Sequence, residues 1–377
     1  MNVIRDKAPT AIVVFAGLAT AIATLRALWH TSHRWQKRSV RKKLPHDLET
    51  WRLLGGLTES VPVWEAVRPA LLEAGVELWV SDGTSSYSKP GQMICANGFA
   101  YVPPVRAKLS WSKNLQEFNC QNELTRGGTT LGGLNVVIRV AVIGAEGKQH
   151  LDILRRLARG TRSLMTDNHV VPLWNEVRFE DIVFTISPYV GYPMDECYGF
   201  WAQNSVGDVV DMILQALEAI AFVHDLGIVH RDLCKSNYLV QWYPESLRTM
   251  EIPLTRPRVF LTDFEMAYEF PPETPNEHRL IKGPPREGYR RPTPPEMESG
   301  MPYDPFKADI WQLAESLSDF KTTIPEIDAV LENMFHIDCA ARLSAVQAQD
   351  KLASIVSGIA PSALLIPPFF LNPFSFS

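Results

Sequence analysis

Residues 206–240 constrain this chain more than any other stretch. Apolar side chains at 209, 210, 213, 214, 217, 220 and 223 recur at helical spacing, and Asp225-Leu226-Gly227 supplies a stop. The polar run His230-Arg231-Asp232-Leu233-Cys234-Lys235-Ser236-Asn237 comes next. An apolar Tyr238-Leu239-Val240 that reads as a strand succeeds it. The order is therefore buried helix, loop, strand, with the polar chemistry on the loop. A carboxylate and an amide five residues apart on such a loop can serve one centre. The carboxylate accepts a hydroxyl proton, and the amide oxygen binds a metal that holds phosphates.

The chain has 377 residues, is 46% apolar and carries a formal charge of −5, enough for one two-part domain or two ordinary ones. The small negative charge gives no reason to expect nucleic-acid binding. The five cysteines (Cys95, Cys120, Cys197, Cys234, Cys339) are scattered and lack C-x-x-C spacing, which predicts free thiols in a reducing compartment. The 28 prolines cluster at 271–275, 284–305 and 361–373 and predict irregular chain there.

Ala8 to Leu25 is an uncharged run of 18 residues, just long enough to span a bilayer, though rich in Ala and Thr. Arg26, Arg34, Lys37, Arg38, Arg41, Lys42 and Lys43 come after it. That basic excess predicts a single-pass anchor, a transmembrane helix over 8–25, with the rest of the chain on the cytosolic side. A cleaved secretory signal (Ala19-Thr-Ala, Ala21-Ile-Ala), a mitochondrial leader and a buried helix are the alternatives. Residues 30–50 read as a basic linker, and Val76-Glu-Leu-Trp-Val80 alternates as a strand does. The sequence assigns no role to residues 44–97 beyond packing on the chain after residue 97.

Four further pieces come after the loop in order. Arg258-Val-Phe-Leu-Thr-Asp263-Phe264-Glu265 delivers an aspartate at the end of a strand. Gly288-Tyr289-Arg-Arg-Pro-Thr-Pro294-Pro295-Glu296 leads to Lys307-Ala-Asp309-Ile-Trp311, and Arg342 lies beyond in Met334-Phe-His-Ile-Asp338-Cys-Ala-Ala-Arg342. Together with His230–Asn237 this series resembles the eukaryotic protein kinases, as a divergent kinase or pseudokinase. The resemblance covers 98–357 and is strongest from 209 onward. It implies an α+β, bilobal fold: a β-rich small lobe at 98–187 and a mainly helical large lobe at 188–357. The N-terminal segment (1–29) and the extension (30–97) precede it, and an apolar Pro-rich tail (358–377) ends the chain.

The resemblance also implies roles. Asp232 would accept the hydroxyl proton, Asn237 and Asp263 would hold Mg²⁺, and Lys235 would neutralise a phosphate of ATP. Ser187-Pro188-Tyr189-Val190-Gly191 would be the hinge beside the adenine. Asp309 would tie the loop backbone in place, and Glu296 and Arg342 would form a buried pair. Arg231 would contact a phosphate on Thr274 or Thr293. Several positions depart from the pattern. Arg139, in the strand Val136–Val142, stands where a lysine bridges the nucleotide phosphates to a glutamate on the next helix, and His150 stands for that glutamate. Glu265 replaces a glycine, which adds a carboxylate able to bind a cation or repel a nucleotide. Gly127-Gly128 and Gly132-Gly133 form no G-x-G-x-x-G loop and read as a hairpin turn.

Three functions are compatible with these residues. The first is a protein kinase using ATP and Mg²⁺ on a protein hydroxyl, Ser/Thr rather than Tyr. The second is a catalytically impaired pseudokinase, a membrane-tethered module for nucleotides or protein partners. The third is a small-molecule phosphotransferase, against which Pro295-Glu296, Asp309-x-Trp311 and Arg342 all argue.

Overall fold

The computed structural model describes residues 34–83, 85–89, 117–119, 122–197, 204–241 and 258–371, with Thr24, Thr31, Ser32 and Phe99. It is mixed α and β. After helical residues 34–41 come two helices of the N-terminal extension, α1 (Leu48–Arg52) and α2 (Val61–Glu73). Five strands then form one antiparallel sheet: β1 (Val76–Leu78), β2 (Thr125–Thr130), β3 (Asn135–Ile143), β4 (Asn175–Phe179) and β5 (Ile182–Pro188), in the order β1-β2-β3-β5-β4. β3 is the centre because its sequence, NVVIRVAVI, is β-branched and apolar almost throughout. Gly132 and Gly133 lie in the β2–β3 turn, where Gly133 N–H returns to Thr130 O at 2.9 Å.

One face of the sheet is closed by the extension. Leu44, Leu48, Trp51, Trp64, Val67 and Leu71 are buried against Val136, Ile138, Val140, Phe184 and Ile186. Trp51, Trp64 and Phe184 meet with ring centroids 5.6–6.2 Å apart, and each such pair adds about 0.5–1.5 kcal/mol beyond its buried area. The segment to which the sequence gives no role is thus the sheet's cover, and it supplies edge strand β1.

The other face carries α3 (Lys148–Ala158), which buries Leu151, Ile153 and Leu157. Its first turn begins at Gly147, with φ +78°, where a Cβ would stand 1.9 Å from Ala141 O. Only glycine fits that approach.

The helical part is built on α4 (Val206–Asp225), started by a capping box between Ser205 and Asp208 and ended at Gly227 with φ +74°. Its apolar face packs among the antiparallel pair β6 (Tyr238–Gln241) and β7 (Arg258–Leu261) and the helices α5 (Pro305–Ser316), α6 (Pro325–Met334) and α7 (Ala345–Ser357). The chain between β6 and β7, residues 242–257, lies outside the described residues.

Among the described residues no helix is long and apolar enough to cross a membrane. That corrects the expected fold class in its preceding transmembrane helix. It equally corrects the single-pass membrane localisation and the membrane tether. The longest apolar helix among the described residues, α4, carries Asp208, Asp211, Glu218 and Asp225 and buries its apolar face in protein. Residues 8–25 lie outside the described residues except for Thr24, and the Ala and Thr of that run make its insertion free energy modest.

Candidate functional site

A cavity of about 390 Å³ opens between the sheet and the helical part. Val137, Arg139, Thr185 and Ser187 wall it on one side, and Asn237, Leu239, Thr262 and Asp263 on the other, with Tyr189 and the chain to Pro193 joining the two. Of the residues singled out from the sequence, Arg139, His150, Ser187, Tyr189, Asn237 and Asp263 line it. The Tyr189 N–H is committed to Asn135 O at 3.0 Å.

The loop between α4 and β6 is held from below by one face of α5. Asp309, 0% exposed, accepts the N–H of His230 at 2.8 Å, the N–H of Arg231 at 2.7 Å and the His224 ring at 2.9 Å. Gln312 Oε1 accepts Leu233 N–H at 3.4 Å, and Ser316 Oγ accepts Lys235 N–H at 3.0 Å. Positions 309, 312 and 316 fall on one helical stripe. Only the first stands out in the sequence; the spacing of the polar residues along an otherwise buried helix was the available signal.

Asn237 donates its amide hydrogens to the backbone O of Asp232 at 2.7 Å and to Asp232 Oδ2 at 3.2 Å. Thr262 N–H donates to Asn237 O at 2.9 Å, and His230 Nε2 meets Thr262 O at 2.9 Å. The segment bearing Asp263 is therefore fastened to the segment bearing Asp232 and Asn237. Asp263 sits at φ +63°, ψ +58°, a left-handed conformation rare outside glycine and asparagine.

Charges in the cavity are arranged around Arg139. Its Nη2 lies 3.0 Å from Asp263 Oδ1 and 2.6 Å from Glu265 Oε2, and Arg52 of α1 pairs with the other oxygen of Glu265. Burial by itself would raise the Asp263 carboxyl, but Arg139 and its neighbours outweigh it and hold the group below the usual carboxylate range. His150 is 5% exposed, and neither ring nitrogen has a partner with hydrogen-bond geometry. Burial, reinforced by Arg139, lowers it to about 4, so the ring is neutral at neutral pH.

Asp232 is capped. Tyr289 Oη donates to its Oδ1 at 2.5 Å, Arg291 Nε lies 2.9 Å from the same oxygen, and Gln312 Nε2 donates to Tyr289 Oη at 2.9 Å. Burial and Asp232 push the Tyr289 phenol well up. Nothing in the sequence singles out Arg291, since an arginine in a Pro-rich loop carries no positional signal.

Other positions lie apart from the cavity. Lys235 Nζ is engaged by Asp319 at 2.6 Å. Arg231 reaches Gly283 O at 3.3 Å, and Thr293 donates to Glu298 at 2.6 Å. Glu296 and Arg342 pair in bidentate fashion at 2.5 and 3.2 Å, and Arg342 is 1% exposed.

No protein-family model matches this chain. A stretch of 91 residues is 29% identical to a probable cell division protein kinase of Encephalitozoon cuniculi (strain GB-M1). That stretch is 24% of this chain and 29% of the relative, so the chain spans less than a third of the relative's length. The likeness suggests a kinase-like relationship and says nothing of a substrate.

Proposed function

We propose that the cavity takes ATP with Mg²⁺ and that the chain is a kinase-like phosphotransferase acting on a protein hydroxyl, Ser or Thr in preference to Tyr. The observation that carries this reading is the tie between Thr262 N–H and Asn237 O, which brings the Asp263 segment against the Asp232–Asn237 loop at the mouth of one cavity.

The donor set fits a small hard cation. Asn237 uses its amide nitrogen on Asp232, which leaves the amide oxygen for a metal. Asp263 Oδ1 is buried and meets Arg139 without hydrogen-bond geometry. Among the described residues no cluster of three or more His, Cys, Asp or Glu gathers. Mg²⁺ needs none when one or two protein oxygens share it with phosphates. Bound there, the ion would neutralise developing charge on the phosphates. Asp232 would orient the acceptor hydroxyl and take its proton through Oδ2, which accepts from Asn237 while Tyr289 and Arg291 engage Oδ1. Arg139 would contact phosphate oxygens. Lys235, held by Asp319, has no part in this scheme. Catalysis of this kind is mostly positioning and charge stabilisation.

A second reading, an impaired kinase-like binding module, is favoured by the Arg139–Asp263 pair, because a guanidinium on the metal-binding carboxylate competes with the metal. Thermal shift with Mg-ATP and then phosphate transfer from labelled ATP separate the two, with Asp263→Asn as control. Stabilisation with transfer supports the first reading, and stabilisation without transfer the second. A protein indifferent to Mg-ATP, ATP and ADP would exclude the first reading and the nucleotide-binding form of the second.

A further inference from the structure

We infer that Glu265, rather than any residue of α3, is the carboxylate that positions Arg139, and that Arg52 of the N-terminal extension is the second half of the clamp. The inference rests on the nucleotide-binding reading of the cavity. A guanidinium in a half-buried cleft requires a counter-charge close by. The helix beside it offers only His150, a ring that is neutral at neutral pH. Glu265 fills that place from another element, two residues beyond Asp263. One of its oxygens takes Arg139 at 2.6 Å, and the other takes Arg52. Two arginines thus face Asp263 and Glu265, and the four charges balance.

Arg52 is not a loose surface cation. Its helix is anchored by Leu48 and Trp51, buried in the sheet's cover, and by Leu48 N–H donating to Glu146 Oε2 at 2.8 Å. The extension therefore reaches the cleft through one side chain. With Glu265 in place, Arg139 divides its contacts between two carboxylates. Without Glu265, Arg139 settles on Asp263 alone and withdraws that carboxylate from a metal and its own charge from the phosphates. Glu265 and Arg52 are positioning residues: they act on a nucleotide through Arg139.

The test measures Mg-ATP affinity by calorimetry on the full chain. Glu265→Gln should weaken binding by about tenfold or more, the scale of one charge-assisted hydrogen bond. Arg52→Gln should weaken it several-fold in the same direction. Adding His150→Glu to Glu265→Gln should restore binding, because it returns a counter-charge to Arg139 from α3. A purely structural role for Glu265 would show no such rescue. Glu49→Gln, which alters an exposed carboxylate 3.9 Å from Arg52 Nε that touches neither Arg139 nor Asp263, should bind as the parent does. If the parent chain binds no nucleotide, the reading of the cavity fails and this inference with it. If the parent binds and Glu265→Gln binds equally well, the inference alone is overturned. A folded double variant without recovery overturns it too. Should Glu265→Gln not fold, Arg52→Gln decides, and unchanged affinity there overturns the clamp.

Discussion

Asp309 holds Arg231 in a left-handed backbone. The carboxylate accepts the Arg231 N–H at 2.7 Å from 78 residues away, while Arg231 sits at φ +66°. The neighbouring His230 N–H uses the other oxygen at 2.8 Å. A non-glycine residue at positive φ costs on the order of 1–3 kcal/mol and persists only where its surroundings fix it. These two bonds do so, and they set the direction in which Asp232 leaves the loop.

Asp309→Ala removes both acceptors and strands two backbone N–H groups and His224. The expected loss is about 3–5 kcal/mol. Urea unfolding measures it, and a loss within about 0.5 kcal/mol of zero would mean that the loop is held by other contacts.

Arg342 is buried with every contact made: Glu296 twice, Lys307 O at 2.9 Å and His336 O at 2.9 Å. Arg342→Met strands the Glu296 carboxylate and should destabilise by about 3–5 kcal/mol. The double variant Arg342→Met/Glu296→Gln should lose less than the two single losses together, since it leaves no orphaned charge. Full additivity in chemical denaturation would show the pair to be uncoupled.

Tyr289→Phe deletes the donor on Asp232 and the acceptor of Gln312 in one step. We expect a loss of about 1–3 kcal/mol in stability. Any phosphate transfer should change with it, because Asp232 loses the group that fixes Oδ1. Unchanged stability would show the hydroxyl to be replaced by water.

The buried ring of His150 makes stability depend on pH. Its folded pKa, about 4, lies below the ordinary value of 6.5, so the unfolded chain takes the proton first. Its contribution is complete above about 6.5, is lost as pH falls towards about 4, and amounts to up to about 3 kcal/mol. Unfolding midpoints of the metal-free protein across that window should fall more steeply for the parent than for His150→Leu. Parallel curves would locate the titration elsewhere.

Much of the fold was legible where the pattern is local. The apolar period over 206–226 became α4 with its stop at Gly227, and the β-branched run at 136–142 became the middle of the sheet. Of the glycines read as a hairpin turn, 132 and 133 fell in one, whereas 127 and 128 lie inside strand β2, paired with Val137 and Val136. The pair Glu296–Arg342 and the tie from Asp309 also sit where the series of motifs implied contact. Other features carry no local signal. Trp51 and Trp64 look like aromatic residues of any helix until Phe184 meets them. The pairing of Lys235 with Asp319 has no local signature either, and the apolar run at 8–25 has no counterpart among the described helices.

The order of elements, and the acids and amide placed on their connecting loops, came from the sequence alone. Spacing along a chain reports which side chains share a face of one helix or the end of one strand. Which charge neutralises which was decided only in three dimensions. Arg139 found Glu265 rather than His150, and Arg52 reached Glu265 from 213 residues away. An ion pair depends on distance in space and on shared burial, and neither is written in the local period of the residues that form it.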